Sequence, residues 1–266
     1  TGYHRLKSTC KTTYQSSDSI VEKSVFAYDT ERPYNIISKS SLCSGGAEQV
    51  ERTYYSNNTI PDKEFLTTSQ RSAIQLLTSR NYLTTPVQQT MEKKDKRLYS
   101  VLRGYSSSLS SGMVVEDQYY CKGTDKYEKR ISYNKYDIYG NPVYINKDGA
   151  EKVVYLWGYK GQYLLAEIKG ATYEEVKKAL MVDPASMSSC ILPSMPLYLD
   201  MIDNLYKALP SALITSYTYH PLIGVSGIIS PNKAKTTFEY NSDSQLIRIK
   251  DTEGKTMEEY QYHFRP

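Results

Sequence analysis

Three histidines and two pairs of adjacent glutamates are the side chains in this sequence best suited to acid–base chemistry. They are His4, His220 and His263, with Glu174-Glu175 and Glu258-Glu259. A glycosidase needs two carboxyl groups about 5 to 10 Å apart that converge on one cleft. Neighbouring residues of a strand point to opposite faces, and glutamates in the first turn of a helix serve its cap. Neither pair therefore predicts a catalytic centre, although a pair from distant segments is left open.

The patterns of common enzymes are absent from the sequence. It contains no Gly-x-Ser-x-Gly, His-Glu-x-x-His, phosphate-binding or dinucleotide-binding motif. His220 and His263 each follow a tyrosine, at a position where a polar side chain caps a turn, so we expect structural roles for both. The sequence therefore predicts no catalytic residue, no cofactor and no metal site, and a protein that is not an enzyme.

Four cysteines, Cys10, Cys43, Cys121 and Cys190, lie far apart in the chain. The absence of any Cys-x-x-Cys pair excludes the common zinc-ribbon and redox spacings. Disulfides in any pairing and isolated, half-buried thiols both remain open.

Charge and hydropathy exclude two further classes of partner. The formal net charge is +4 with both signs interspersed, and the richest basic stretch, 93–97, is too short and mixed to indicate nucleic-acid binding. No apolar run approaches the roughly 18 residues of a membrane span. Because the chain has no initiating Met and no signal-like start, we interpret it as a piece of a longer protein.

A tyrosine-led phrase recurs at intervals of 21 or 22 residues. Its copies are Tyr217-Thr-Tyr219-His220, Phe238-Glu-Tyr240-Asn241 and Tyr260-Gln-Tyr262-His263, and the same step separates Tyr136-Asp137 from Trp157-Gly-Tyr159. A fixed period of this length predicts an array of one supersecondary unit. With 27 tyrosines against 4 phenylalanines, Tyr supplies most of the aromatic surface, which suits strands whose faces are only partly dry.

Each unit is predicted to be a β-hairpin. Seven and nine residues after a lead tyrosine stand Val143 and Ile145, or Ile247 and Ile249, and side chains two apart share one face of a strand. We therefore expect both pairs to face the core. Turns are indicated at Gly140-Asn141, Asp148-Gly149 and Glu253-Gly254.

Helical patterns interrupt the strands at two places. One short helix is predicted at about 69–80, with Asn81 as its stop. A helical hairpin is predicted at about 171–210, where Thr172 to Glu175 has capping-box spacing and a second helix begins at Pro196. Its apolar stripes are Tyr173, Val176 and Leu180 in the first helix, and Leu197, Met201, Leu205 and Leu209 in the second.

These residues resemble the YD repeats of the Rhs family, which occurs in bacterial surface and secreted proteins, insecticidal toxin-complex subunits and animal teneurins. The resemblance rests on Tyr136-Asp137 with Gly140-Asn141, on the stretch 238–255, and on 154–219 with its helical insertion. It covers roughly 131–264. Asn241, His220 and His263 depart from the aspartate of the family phrase.

The resemblance implies an antiparallel array of β-hairpins in a curved or spiralling sheet, export to the cell surface or beyond, and no chemistry in the repeats. It favours a structural or binding module that contacts the rest of its own polypeptide or another surface protein. Part of a shell that delivers a C-terminal toxin is one alternative, and a protein that binds or acts on glycans is another. Exposed tyrosines could also bind a sugar or peptide.

By its sequence patterns the chain divides into two regions. Residues 1–130 read as a β-rich segment with degenerate repeats and the short helix. Residues 131–266 read as the YD-repeat sheet, whose structural positions are Tyr136, Asp137, Gly140, Asn141, Trp157, Tyr159, Tyr217, Tyr219, Phe238, Tyr240, Asn241, Gly254, Tyr260 and Tyr262.

Overall fold

The computed structural model describes residues 4–15, 18–42, 46–109, 112–189 and 195–263. In this part of the chain, sixteen strands form an antiparallel array in which sheet order follows chain order. The predicted mostly β, antiparallel hairpin array with inserted helices is therefore confirmed, while its curvature stays a prediction. The chain divides into two compact units, residues 1–132 and 133–266.

The strands range from four to fourteen residues and are joined mainly by tight turns. The first eight are β1 (Ser8–Gln15), β2 (Asp18–Tyr28), β3 (Ile36–Leu42), β4 (Glu48–Tyr55), β5 (Pro86–Lys93), β6 (Lys96–Leu109), β7 (Gly112–Lys122) and β8 (Glu128–Tyr136). The second eight are β9 (Pro142–Lys147), β10 (Glu151–Gly158), β11 (Tyr163–Lys169), β12 (Leu213–His220), β13 (Gly224–Ile229), β14 (Lys235–Tyr240), β15 (Leu246–Lys250) and β16 (Thr256–Glu259).

One helix, α1 (Thr68–Ser79), is inserted between β4 and β5 and forms the core of the first unit. It begins with a capping box, in which the Thr67 hydroxyl accepts from the Gln70 N–H and the Gln70 side chain accepts from the Thr67 N–H. After the helix Asn81 has a φ of +66°, in keeping with the predicted stop. The buried side chains Ile74 and Leu77 belong to one cluster with Val87 and Leu102 of the sheet.

Helices α2 (Tyr173–Leu180) and α3 (Met195–Ala208) lie between β11 and β12, joined in part by the 3-10 helix Pro184–Ser189. Thr172 and Glu175 form the expected capping box. Val176 of α2 is fully buried against strand residues Leu156, Ile168 and Ile214, which are also inaccessible to solvent. The inserted helices therefore build the core of the second unit by covering the middle of its sheet.

The inward face of α3 differs from the predicted stripe. Leu205 is buried as expected, but Tyr198 and Ile202 are the other buried side chains among those described in this helix (198–208), whereas Met201 is only partly covered. The Tyr198 hydroxyl donates to the Leu165 carbonyl oxygen and contacts that of Tyr217, which satisfies its polar end inside the core. Leu209 packs at the margin, and the side chain of Leu197 lies outside the described residues.

Burial declines along the last strands. Val143 and Ile145 are buried, as expected for a core-facing pair. The corresponding expectation for Ile247 and Ile249 is wrong, because both are only half-buried. No residue of β14, β15 or β16 belongs to the buried core of the described chain, since the helices cover β10 to β12 instead.

No helix among the described residues has both the length and the apolar character of a membrane span. Of the cysteines, Cys10 is free and exposed and Cys121 is free and buried. Cys43 and Cys190 fall outside the described residues.

The helical cover of the second unit can be tested within one helix. We expect Leu205→Ala to lower the free energy of unfolding by about 2 to 5 kcal/mol, because it leaves a cavity in a fully buried position. Leu199→Ala is the matched control, since Leu199 is 40% exposed, and it should cost less than about 1 kcal/mol. Urea unfolding measures both changes, and equal losses would contradict this placement of α3.

Candidate functional site

The feature that recurs through both units is a hydrogen bond from an aromatic side chain at or near the end of an even-numbered strand. The donor reaches a backbone carbonyl oxygen at or near the start of the preceding strand, and we call this contact the aromatic brace. The described braces are Tyr28 to Leu6 (3.0 Å), Tyr55 to Ile36 (3.0 Å), Tyr105 to Pro86 (2.8 Å), Trp157 to Pro142 (2.8 Å), Tyr219 to Leu164 (2.8 Å), Tyr240 to Val225 (2.9 Å) and Tyr262 to Leu246 (2.8 Å).

A break in strand register immediately precedes six of the braces. The pairing with the following strand shifts between Ala27 and Tyr28, and the same shift stands directly before Tyr55, Tyr105, Trp157, Tyr219 and Tyr240. A bulge adds one residue to a strand, increases its local twist and re-aims the next side chain. The bulge is therefore placed where it can turn the ring towards the preceding strand.

A second recurring element is the polar side chain that closes a hairpin turn. Asp137 is 1% exposed, and its Oδ1 accepts from the N–H groups of Tyr139 (2.9 Å) and Asn141 (2.8 Å). Its Oδ2 accepts from Asn141 Nδ2 at 3.0 Å. Gly140 provides the positive φ, +86°, that this turn requires. The carboxylate is thus fully engaged in holding its own turn.

The same turn geometry recurs with other residues at the capping position. Asn241 Oδ1 accepts from the N–H groups of Asp243 and Gln245, and Asp251 Oδ1 accepts from those of Glu253 and Lys255. Gly254 there has a φ of +81°. Asn241 replaces the aspartate without loss of the turn because the cap uses only an acceptor oxygen.

A capping carboxylate also follows the first brace. Asp29 Oδ1 accepts from the N–H groups of Glu31 and Arg32, each at 2.9 Å. The bond from the Arg32 N–H is the main reason that the pKa of Asp29 lies below its usual value, since it stabilises the ionised form.

Two histidines are expected to cap turns, and the structure tests this at His220. The exposed His220 ring instead lies edge-on to Tyr240, with ring centres 6.2 Å apart. The turn after it closes through a backbone bond from the Ile223 N–H to the His220 carbonyl oxygen. His263 is exposed in a segment without regular structure. The turn-capping interpretation is therefore wrong for His220, and for His263 it stays a prediction, since residues 264–266 lie outside the described residues.

The structure brings some predicted positions together and leaves others apart. Tyr159 and Tyr219 both contact Tyr163, with ring centres 4.9 and 4.6 Å away. Tyr136 stacks on Tyr133 at 6.0 Å. The remaining predicted aromatic positions are half-buried at Tyr217 and Phe238 and exposed at Tyr260.

The glutamate pairs named at the outset form no shared cleft. Glu175 belongs to the α2 cap, and the Thr172 N–H lowers its pKa. Glu259 pairs with Arg248 at 3.1 Å, and Glu258 accepts from the Tyr260 hydroxyl. No group of His, Cys, Asp and Glu side chains suited to a metal ion occurs in the described ranges.

Sequence reasoning missed a buried polar network that anchors α1. Gln70, 1% exposed, donates to Glu116 and Asp117, both at 3.0 Å, while Lys129 pairs with Asp117 at 3.0 Å. A Cβ on Gly104 would lie 2.3 Å from the Gln70 side chain, so this glycine provides the space. The only sequence signal was the capping box that begins with Thr67, because the partners lie 46 and 47 residues away.

A second buried network was also missed. Gln88 and Ser100 are fully buried, and the Tyr127 hydroxyl contacts Ser100 at 2.6 Å and Asp62 at 2.8 Å. Arg97 pairs with Asp62 at 3.0 Å. Burial raises the pKa of the Tyr127 hydroxyl, so the tyrosine remains a neutral donor. The network joins the loop before α1 to β5 and β6.

A shallow groove crosses the sheet beside α3. Its floor includes Gly227, whose lack of a side chain leaves space next to Thr218, and Leu199 of α3 borders it. Lys235, Glu239 and Tyr240 are among its other lining residues. The groove offers an aromatic ring and mixed charges, but no converging pair of unengaged carboxylates, because Lys250 and Arg248 both pair with Glu239.

The comparisons with known proteins concern structure only. No family model and no curated protein sequence matches the chain. A crystal structure of TcdB2-TccC3 is 13% identical with a TM-score of 0.39, over 92% of this chain and 11% of that one. The structure of the Photorhabdus luminescens Tc holotoxin pore is 12% identical with a TM-score of 0.35, over 89% and 13%. The chain thus spans about a tenth of the length of these structures.

The brace hydrogen bond can be separated from the packing of its ring. We expect Tyr219→Phe to lower the free energy of unfolding by about 0.5 to 1.5 kcal/mol, because only the bond to the Leu164 carbonyl is lost. Tyr139→Phe is the control, since Tyr139 is exposed and its hydroxyl makes no bond within the described residues. Urea unfolding provides the measurement, and a loss no larger than that of the control would count against the brace.

The turn cap makes a separate prediction. Asp137→Ala should destabilise the protein by about 1 to 3 kcal/mol, because it removes a buried carboxylate and leaves two partly buried N–H donors without an acceptor. Asp251→Ala removes the same kind of cap from an exposed turn and should cost about 0.5 to 1 kcal/mol. Thermal or urea unfolding can rank the two, and the reverse order would show that burial does not set the strength of the cap.

Proposed function

We propose that this chain is a non-catalytic structural module of a larger, exported protein of the Rhs/YD-repeat type, displayed at a bacterial cell surface. The observation that carries the proposal is the aromatic brace, which recurs seven times in the described residues with donor–acceptor distances of 2.8 to 3.0 Å. A contact repeated from hairpin to hairpin is what we expect of a protein that forms an extended β framework.

The use of the polar side chains supports the same proposal. Asp137 and Asp251 hold turns, Glu175 caps a helix, and the Asp117 carboxylate binds Gln70 and Lys129 inside the first unit. A general base or nucleophile must be free to act on a substrate. Because these side chains have structural partners, we expect their substitution to lower the free energy of unfolding.

The proposed module acts by offering its exposed surface for binding. Its partners would be the rest of its own polypeptide or another surface protein. Its exposed turns carry apolar side chains, Leu222 at 95% exposure being the most accessible. The groove beside α3, with Tyr240 and Lys235 on its walls, is the place where a glycan or peptide would find an aromatic face and hydrogen-bonding groups.

The test combines localisation with a comparison of two variant sets in the native reading frame. We expect externally added protease to remove the protein from intact cells. Surface display should fall with Tyr55→Phe, Tyr105→Phe and Tyr219→Phe in proportion to their loss of stability. The groove variant Lys235→Ala, which changes neither a brace donor nor a ring packed against one, should be displayed at the wild-type level.

Two results would contradict this function. Turnover of a polysaccharide or peptide by the purified chain, abolished by a groove variant that remains as stable as wild type, would indicate an enzyme. A variable effector domain downstream in the reading frame, shielded from protease until release, would indicate a delivery shell.

A further inference from the structure

Two hairpin turns at one end of the strands of the second unit carry exposed apolar side chains. The turn between β8 and β9 exposes Ile138, at 62%, and Tyr139. The turn between β12 and β13 exposes Leu222, at 95%, and Ile223. Four other hairpin turns of this unit contain only polar residues, glycine, proline and alanine, namely 148–150, 230–234, 241–245 and 251–255. Apolar tips are therefore a local feature of this sheet.

The turn between β10 and β11 lies between these two and is bonded to both sides. Asn141 Nδ2 donates to the Gly161 carbonyl oxygen at 2.9 Å, and the Leu222 N–H donates to the Tyr163 hydroxyl at 3.2 Å. Neighbouring turns at one end of an antiparallel sheet are two strand spacings apart, so the three tips form a row about 20 Å long. We call the turns 137–141, 159–162 and 220–224 the tip row.

Folding of the hairpin does not account for leucine at the most exposed tip. Leu222 has a φ of +66°, in the left-handed region that glycine and asparagine adopt more readily than leucine. The turn itself is closed by the backbone bond from the Ile223 N–H to the His220 carbonyl oxygen, which any residue at position 222 would leave intact. The leucine side chain is therefore available for contact with a partner.

The exposed formal charge of the tip row is positive. Lys160 is exposed in the middle turn. The row contains one carboxylate, Asp137, which is buried and accepts from N–H groups of its own turn. An ammonium group with apolar side chains on both sides is complementary to a surface that is both apolar and negatively charged.

We propose that the tip row binds the surface of an anionic lipid bilayer, with Ile138 and Leu222 inserted at the interface and Lys160 at the headgroups. A bilayer interface takes up apolar side chains from protruding turns without a matching groove, whereas a protein partner would need a concave surface shaped to the whole row. Tyr139 suits the headgroup level, because its ring is apolar and its hydroxyl is polar. Anionic lipids attract lysine side chains that lie close to the surface.

The contact is peripheral and requires no segment that spans the membrane. Because few side chains enter the interface, binding is reversible, depends on the content of anionic lipid and is weakened by salt. It is separate from the structural role proposed above, since a β framework would serve equally well with polar tips. Failure of membrane binding would therefore leave that role unaffected.

Cosedimentation of the full chain with vesicles provides the first test. We expect binding to vesicles of equimolar phosphatidylcholine and phosphatidylglycerol, and weaker binding to phosphatidylcholine alone. Leu222→Ser and Ile138→Ser should each weaken binding to the anionic vesicles by about three- to tenfold, and Lys160→Glu by about three- to tenfold. Leu213→Ser is the matched control, since Leu213 is also exposed but lies at the other end of β12, and it should bind like wild type.

Thermal unfolding shows whether each of these variants is folded. No binding of the wild-type chain to the anionic vesicles would overturn the proposal. Equal losses in Leu213→Ser and Leu222→Ser would also overturn it, because the contact would then not lie at the tip row.

Tryptophan fluorescence provides the second test and identifies the occupant of the tips. In Leu222→Trp the emission of the new indole should move to shorter wavelength when anionic vesicles are added, and lipids brominated in their acyl chains should quench it. Leu213→Trp should show neither change, and the wild-type chain supplies the background of Trp157, its single tryptophan. Equal quenching of both variants would overturn the proposal. A shift in Leu222→Trp that follows protein concentration without lipid would indicate pairing of two copies at their tips and would overturn it as well.

Discussion

A hydroxyl that reaches a carbonyl on the preceding strand holds one end of each braced hairpin in this protein. The contact needs a ring long enough to cross between strands and a donor at its tip, which phenylalanine lacks. This requirement explains why tyrosine supplies six of the seven described braces and phenylalanine none. Trp157 fulfils it with its indole N–H, bonded to the Pro142 carbonyl at 2.8 Å.

The brace depends on the bulge before it, and the two together account for an otherwise irregular sheet. A bulge breaks the ladder and increases twist, which is unfavourable for pairing taken alone. Here the displaced ring gains a hydrogen bond and, at Tyr219, an aromatic contact with Tyr163 at 4.6 Å. A device built from local contacts also functions where burial is low, as at the exposed Tyr262.

The inserted helices provide what the hairpins lack. Strands solvated on both faces bury little apolar area, and an isolated hairpin is only marginally stable. α1 covers one part of the first unit, and α2 and α3 cover the middle of the second, where Leu156, Ile168 and Ile214 are fully inaccessible. The buried amide of Gln70 lies in the core beside α1, where it donates a hydrogen bond to the Asp117 carboxylate. Stability is therefore concentrated at the helices, while the braces maintain the strands between them.

The sequence by itself determined the elements that rest on local chemistry. The capping residues Thr67 and Thr172 and turn glycines such as Gly140 and Gly254 act within a few residues of the chain. Together with the period of the tyrosines, they predicted the hairpins and the positions of the helices. It did not indicate Tyr55 and Tyr105 as braces, because the α1 insertion breaks the 21-residue step between them.

Only the tertiary structure decided which faces are buried. Ile247 and Ile249 repeat the pattern of Val143 and Ile145, yet they differ in exposure, and neither pair belongs to the core cluster that α2 and α3 cover. In α3 the buried side chains include Tyr198 and Ile202. The Tyr198 hydroxyl meets carbonyl groups of two strands across the core, which the helical pattern alone did not indicate. Burial and polar satisfaction depend on partners that are distant in sequence, and a local pattern carries no information about them.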